Sequence, residues 1–169
     1  MLAACSGGGS TAATTTTSTT ASHTTTSATS TTLSQEEEVK AAYLAYWQMI
    51  DRLSAAPDPN DPELAQRVAE PFLSFLRDDF ATRAQQGRTV RFPHTVASSH
   101  NVRDIQVASG TATITDCFID DRVAIDRSGS VIDDEIVTKV MHATMSGDPW
   151  LVTNVRTTSQ TPGVVGCGA

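Results

Sequence analysis

The chain has 169 residues, a formal net charge of -7 and a sequence pI of about 4.9. That balance argues against a nucleic-acid partner and against direct adsorption to anionic lipid, leaving neutral, cationic or apolar partners. No run approaches the roughly 18–20 apolar residues of a membrane-spanning helix.

At the N-terminus, Leu2-Ala3-Ala4-Cys5 fits a bacterial lipobox, in which a small residue precedes a cysteine that is diacylated before cleavage. Cys5 is therefore the predicted lipidation site, and residues 1–5 read as a truncated signal. A full secretory signal needs a charged n-region and an apolar h-region of roughly 7–15 residues, so this reading expects the true start upstream of Met1. The competing reading is a soluble chain whose N-terminus happens to match. Residues 6–34 carry no charged side chain and one sizeable aliphatic, Leu33. Such a tract cannot bury enough apolar surface to offset backbone entropy and is predicted to be a disordered linker, spanning about 30 Å as a coil. Thr14-Thr15-Thr16-Thr17 suits O-glycosylation, and a bare spacer explains it equally well. The placement that follows is extracytoplasmic, on the cell membrane, with the lipid as the only membrane contact.

Residues 35–169 hold every charged side chain and have the length of one domain. Ser34 with Glu37 forms a capping box, and Glu36, Glu37 and Glu38 complement a helix dipole. Val39, Tyr43, Tyr46, Trp47, Ile50 and Leu53 recur at helical spacing up to about Ala55, where Pro57, Pro59 and Pro62 forbid continuation. Asp61-Pro62-Glu63 reads as an N-cap opening a short helix through Val68. Pro71 starts a third helix whose apolar stripe is Phe72, Leu73, Phe75, Leu76 and Phe80, closed by Gly87.

From Arg88 the period becomes two, predicting strands at Thr89–Val96, Asn101–Val107, Thr111–Ile119, Asp134–Met145 and Trp150–Thr157. Ser109-Gly110 and Ser146-Gly147-Asp148-Pro149 supply tight turns. Asp120–Asp133 is expected to add a small hairpin at the sheet rim. The predicted class is α+β, a long helix and two short ones packed on a curved antiparallel sheet. With Cys5 assigned to lipid, Cys117 and Cys167 are an even pair outside the cytoplasm and are expected to be bonded. The loop closed would be worth roughly 4 kcal/mol of chain entropy and would pin a tail, Gln160–Ala169, that has no periodicity of its own.

The helical first half, the switch to long strands, Asp116-Cys117-Phe118-Ile119-Asp120-Asp121, Gly147 shortly before Trp150 and the closing Gly166-Cys167 together resemble the nuclear transport factor 2-like superfamily. Within it they are similar to small secreted actinobacterial lipoproteins. The resemblance spans about Gln35 to Cys167. It implies a cone whose sheet wraps the long helix and leaves a pocket at the open end. It implies no single activity, since isomerases, dehydratases, binding modules and accessory domains share the fold.

Tyr43, Tyr46, Trp47 and His142 are the candidate pocket residues. Aromatics at helical spacing are by default core, and a strand histidine by default faces solvent. Tyr43 with Asp116 and His142 could pair a hydroxyl donor with a base near neutrality. The acidic clusters Asp116, Asp120, Asp121 and Asp133, Asp134, Glu135 lack the spacing of a calcium loop and read as solvated edge carboxylates. His94 and His100 have no partner at metal-ligand spacing, and neither metal nor cofactor is expected. The leading functional expectation is a non-catalytic binding or accessory domain for a small apolar ligand or an envelope protein. The alternative is an isomerase- or dehydratase-type enzyme built on Tyr43, Asp116 and His142, and a homodimer through the outer sheet face is compatible with either.

Overall fold

The computed structural model describes residues 33–91 and 99–166. Cys5, expected to carry lipid, nearly all of the expected linker, His94 and Cys167 lie outside them. Helices α1 (Gln35–Ala55), α2 (Pro62–Arg67) and α3 (Phe72–Gln86) are followed by strands β1 (Thr89–Arg91), β2 (Ser99–Ala108), β3 (Thr111–Asp120), β4 (Val123–Ile125), β5 (Val131–Asp133), β6 (Val137–Ser146) and β7 (Leu151–Pro162). The class is α+β, as the change of period at Arg88 predicts.

Each helix begins and ends for a local reason. At the start of α1 the Ser34 hydroxyl accepts from the Glu37 amide at 3.3 Å, and Glu37 accepts from the Ser34 amide at 2.8 Å, a reciprocal capping box. The Asp61 side chain accepts from the Glu63 amide at 2.9 Å to open α2. Gly87 ends α3 in the left-handed region at φ 66, and a Cβ there would sit 2.9 Å from the Arg127 side chain. Arg52 ties α1 to α2 through Asp61 at 2.7 Å and Glu63 at 2.9 Å; at this exposure the pairs fix geometry more than they stabilise.

The strands form two antiparallel sheets. The larger has the order β2-β3-β6-β7 and the smaller β1-β4-β5. The segment expected as a rim hairpin thus supplies two of the three strands of a second sheet, because β1 pairs with β4 through Thr89 to Ile125. Register shifts at Val102/Asp104, Val140/Met141 and Thr144/Met145 bend the large sheet. Strand β7 also runs further than its sequence pattern suggested. Gln160, Thr161 and Pro162 pair with Lys139, Thr138 and Val137, so the start of the tail is held by a ladder.

Helix α1 lies against the inward face of the large sheet. Val39, Tyr43, Met49 and Leu53 are sealed on its underside, with Ala112, Ile114, Phe118, Ala143, Met145 and Val152 facing them from the strands. Burying each of the larger aliphatics contributes about 1.5–3 kcal/mol. On α3, Leu73, Leu76 and Phe80 turn inward, whereas Phe75, placed on the same stripe by its spacing, is 63% exposed and stacks on Phe72. The inward residues recur at i, i+3 and i+7, and Phe75 falls off that line.

Candidate functional site

Strand β3 alternates, with Ala112, Ile114, Asp116, Phe118 and Asp120 buried beneath the helices. Two carboxylates on that face each gather a polar cluster. The expectation that Asp116, Asp120 and Asp121 are solvated edge carboxylates is therefore corrected: all three are buried. For Asp116 and Asp120, alternation on an inward-facing strand overrides the bias of acids toward solvent; Asp121 lies just past the end of β3.

Asp116 is completely buried. Its Oδ2 accepts from the Tyr43 hydroxyl at 2.9 Å and faces His100 Nδ1 at 2.6 Å. Against a carboxylate at that distance the Nδ1 nitrogen must carry the proton. The His100 ring packs on Phe118 at 4.2 Å and on Trp47 at 4.4 Å between centroids, with Tyr43 edge-on. His100 Nε2 and Asp116 Oδ1 are buried without a hydrogen-bond partner. Burial first, and the Asp116 charge second, push the Tyr43 hydroxyl far above its ordinary range.

Four residues along the strand, Asp120 holds cations. Arg122 forks onto it, Nε to Oδ1 at 2.6 Å and Nη2 to Oδ2 at 2.8 Å, and Lys139 Nζ reaches Oδ2 at 2.7 Å. Burial alone would raise the Asp120 carboxyl, but Arg122 and Lys139 outweigh it and bring it down to about 2. The Arg122 guanidinium also lies over the Phe118 ring, 5.2 Å from its centroid. Asp51, one turn beyond Trp47 on α1, has its carboxyl pushed up by burial against the pull of Arg122 and His100.

This second cluster opens onto a cavity of about 510 Å³. Tyr46, Trp47 and Ile50 line it from α1, Phe72 and Phe80 from α3, and Met141 from β6. Its polar lining joins Asp120, Arg122 and Lys139 to Ser54, Asp79, Arg83 and Gln160, while Asp133 and Glu135 line it as exposed carboxylates. The volume falls in the range of small-molecule sites. Trp47 is shared between the cavity and the Asp116 cluster; Tyr43, Asp116 and His100 do not line the cavity.

The sequence-predicted residues divide accordingly. Tyr46 and Trp47 line the cavity. Tyr43 and Asp116 meet, but behind it. His142 does neither, because Asp116 pairs with Met141 and the next residue of β6, opposite Thr115 and Arg156, points out and is exposed. The histidine that joins Tyr43 and Asp116 is His100, which sequence reasoning set aside for want of metal-ligand spacing. Its register opposite Phe118 places it inward, a signal visible only once the strands are paired. Lys139, opposite Phe118 on β6, was missed for the same reason, and Arg122 because it lies in the turn between β3 and β4. Among the described residues no group of His, Cys, Asp or Glu is arranged to hold a metal ion. Cys117 is buried on β3 and does not stand as a free thiol.

Neither a family model nor a curated protein matches the chain. Among solved structures, the fold is similar to the crystal structure of the intermembrane space region of the chloroplast protein ARC6. The TM-score is 0.58 at 16% identity, over 75% of this chain and 98% of that one. At that identity the likeness shows the fold alone.

Proposed function

We propose that the chain is a cell-surface lipoprotein, anchored through Cys5, whose residues 35–169 form a non-catalytic binding domain of the nuclear transport factor 2-like kind. The ligand is a small, largely apolar molecule held between α1, α3 and the inward face of β6. The observation that carries this reading is the cavity of about 510 Å³, in which aromatic side chains of α1 and α3 meet polar and charged groups from several elements, a volume and a mixed lining within the range of small-molecule sites. The Cys117–Cys167 bond belongs to the same proposal, supported by the burial of Cys117 and by an extracytoplasmic setting. Native mass spectrometry of the detergent-extracted protein tests these parts together. An acylated N-terminal Cys5, one disulfide and a co-purified small molecule are expected. An unmodified N-terminus in an aqueous fraction would end the anchor reading, and capture of an envelope protein with no small molecule would redirect the binding reading to the surface.

A second reading, an isomerase- or dehydratase-type enzyme, is favoured by the contact of Tyr43, Asp116 and His100. Asp116 orients His100 through Nδ1 and leaves Nε2 to take a proton, while the Tyr43 hydroxyl is the donor. The closed packing of these groups away from the cavity ranks it second. Turnover of a carbonyl or hydroxy compound, lost in His100→Gln and kept in His142→Ala, would promote it to first.

A further inference from the structure

Tyr46, Ile50 and Ser54 line the chamber from one stripe of α1, at i, i+4 and i+8. Tyr46 and Ser54 are 3% and 2% exposed, yet neither hydroxyl forms a hydrogen bond to a described residue. Nor is either oxygen sealed in the core as Trp47 Nε1 is, so the space each opens into is the chamber it lines. A buried hydroxyl without a partner costs free energy, which a suitable ligand atom would recover. Burial pushes the Tyr46 hydroxyl far above its ordinary range, against the pull of the nearby Arg122 charge; it stays protonated and presents a donor. The spacing from i to i+8 sets the two backbone positions about 12 Å apart along the helix, with Ile50 between them. The charged side chains of the lining, by contrast, engage one another. Arg83 holds Asp79 at 2.8 Å, and Arg122 and Lys139 share Asp120 at 2.6 and 2.7 Å. Asp133 and Glu135 are exposed, where water solvates them. Four carboxylates against three cations give an anion no seat. Asp79 and Asp120 already hold cations, so a cationic head finds no unengaged carboxylate in the lining away from water.

We infer that the chamber binds elongated, uncharged molecules with an oxygen at each end and an apolar middle. One oxygen accepts from the Tyr46 hydroxyl, the other exchanges a hydrogen bond with the Ser54 hydroxyl, and the middle lies against Ile50, Phe72 and Leu76. The inference rests on the proposed binding function and narrows it to one ligand class.

The test is titration calorimetry of the full chain with α,ω-octanediol, octanol, octanoate and octylamine. Tyr46→Phe and Ser54→Ala should each weaken the diol about fivefold, the worth of one neutral hydrogen bond. Octanol can turn its single hydroxyl to whichever partner remains, so either variant should weaken it by no more than about twofold, the loss of one of two orientations. Octanoate and octylamine should bind at least about tenfold more weakly than octanol, since each would bury a charge with no unengaged partner. Both substitutions remove an unengaged hydroxyl, so the urea midpoint of the unliganded chain should hold or rise; a loss of diol affinity at an unchanged midpoint is a lost contact, not a lost fold. Unchanged diol affinity in either variant, or a charged probe that matches octanol, overturns the ligand class and leaves the binding cavity standing. Failure of all four probes to bind overturns the cavity reading itself.

Discussion

Asp116 and Asp120 lie on the same face of the same strand, yet their surroundings give them different work. Asp116 lies under the middle of α1, opposite Val102 and Met141, and is closed in by aromatic rings. Neutral-capable donors, a phenol and an imidazole, both reach its Oδ2 and leave Oδ1 without a partner. Asp120 sits at the strand's end, where β3 turns toward β4 and the helices part around the cavity. There it meets permanent cations that keep part of their surface in the chamber. Depth decides which partners a buried carboxylate can hold: a sealed one is held by groups that need carry no charge, whereas one at a cavity wall can hold solvated cations without desolvating them fully.

Four substitutions sharpen that contrast. Asp116→Ala should cost most, about 3 kcal/mol, because it leaves the Tyr43 hydroxyl and His100 Nδ1 without an acceptor in a sealed core; urea unfolding reads it directly. Asp120→Asn comes next, at about 2 kcal/mol at neutral pH, the worth of holding its carboxyl down at about 2. The sign is fixed by linkage. A carboxyl whose folded value lies below its unfolded one stabilises above the ordinary carboxylate range, and that contribution fades as pH falls from near 4 to about 2. The wild-type chain should lose stability across this window and Asp120→Asn should show a shallower loss.

Asp51→Asn should act in the opposite direction. Burial raises the Asp51 carboxyl, so its ionised form costs stability, and the amide should stabilise the fold at pH 7 with the gain vanishing in acid below the ordinary carboxylate range. His142→Ala, on the exposed face of β6, should change stability by no more than about 0.5 kcal/mol. A large loss there would mean that the register of β3 and β6 is wrong.

The register also explains what could be read in advance. The helices were legible to within a residue or so, because Ser34, Glu37, Pro62 and Gly87 act locally and need no tertiary partner. The turns at Ser109-Gly110 and Gly147 were legible for the same reason, since positive φ favours glycine or a short polar residue. The meeting of Tyr43 with Asp116 was a guess that the helix-on-sheet layout made reasonable. Choosing between His142 and His100 was a matter of one residue of register, and a one-residue slip moves a side chain to the opposite face. Alternation along β3 does put Asp116 and Asp120 on one face, a pattern hidden by reading acids as edge residues. Arg122 sits in the turn after β3, where no periodicity marks it, and its pairing with Asp120 depends on how that turn folds back.

The account turns on the cavity at Asp120, not the closed cluster at Asp116, being the working site. Side-chain NMR during a titration of the full chain with a small apolar probe such as octanol separates the two. The Arg122 Nε–H and Lys139 signals should shift in proportion to occupancy, with the His100 ring signals left in place. Movement of His100 with Arg122 and Lys139 unchanged would put the ligand in the wrong chamber and contradict the account.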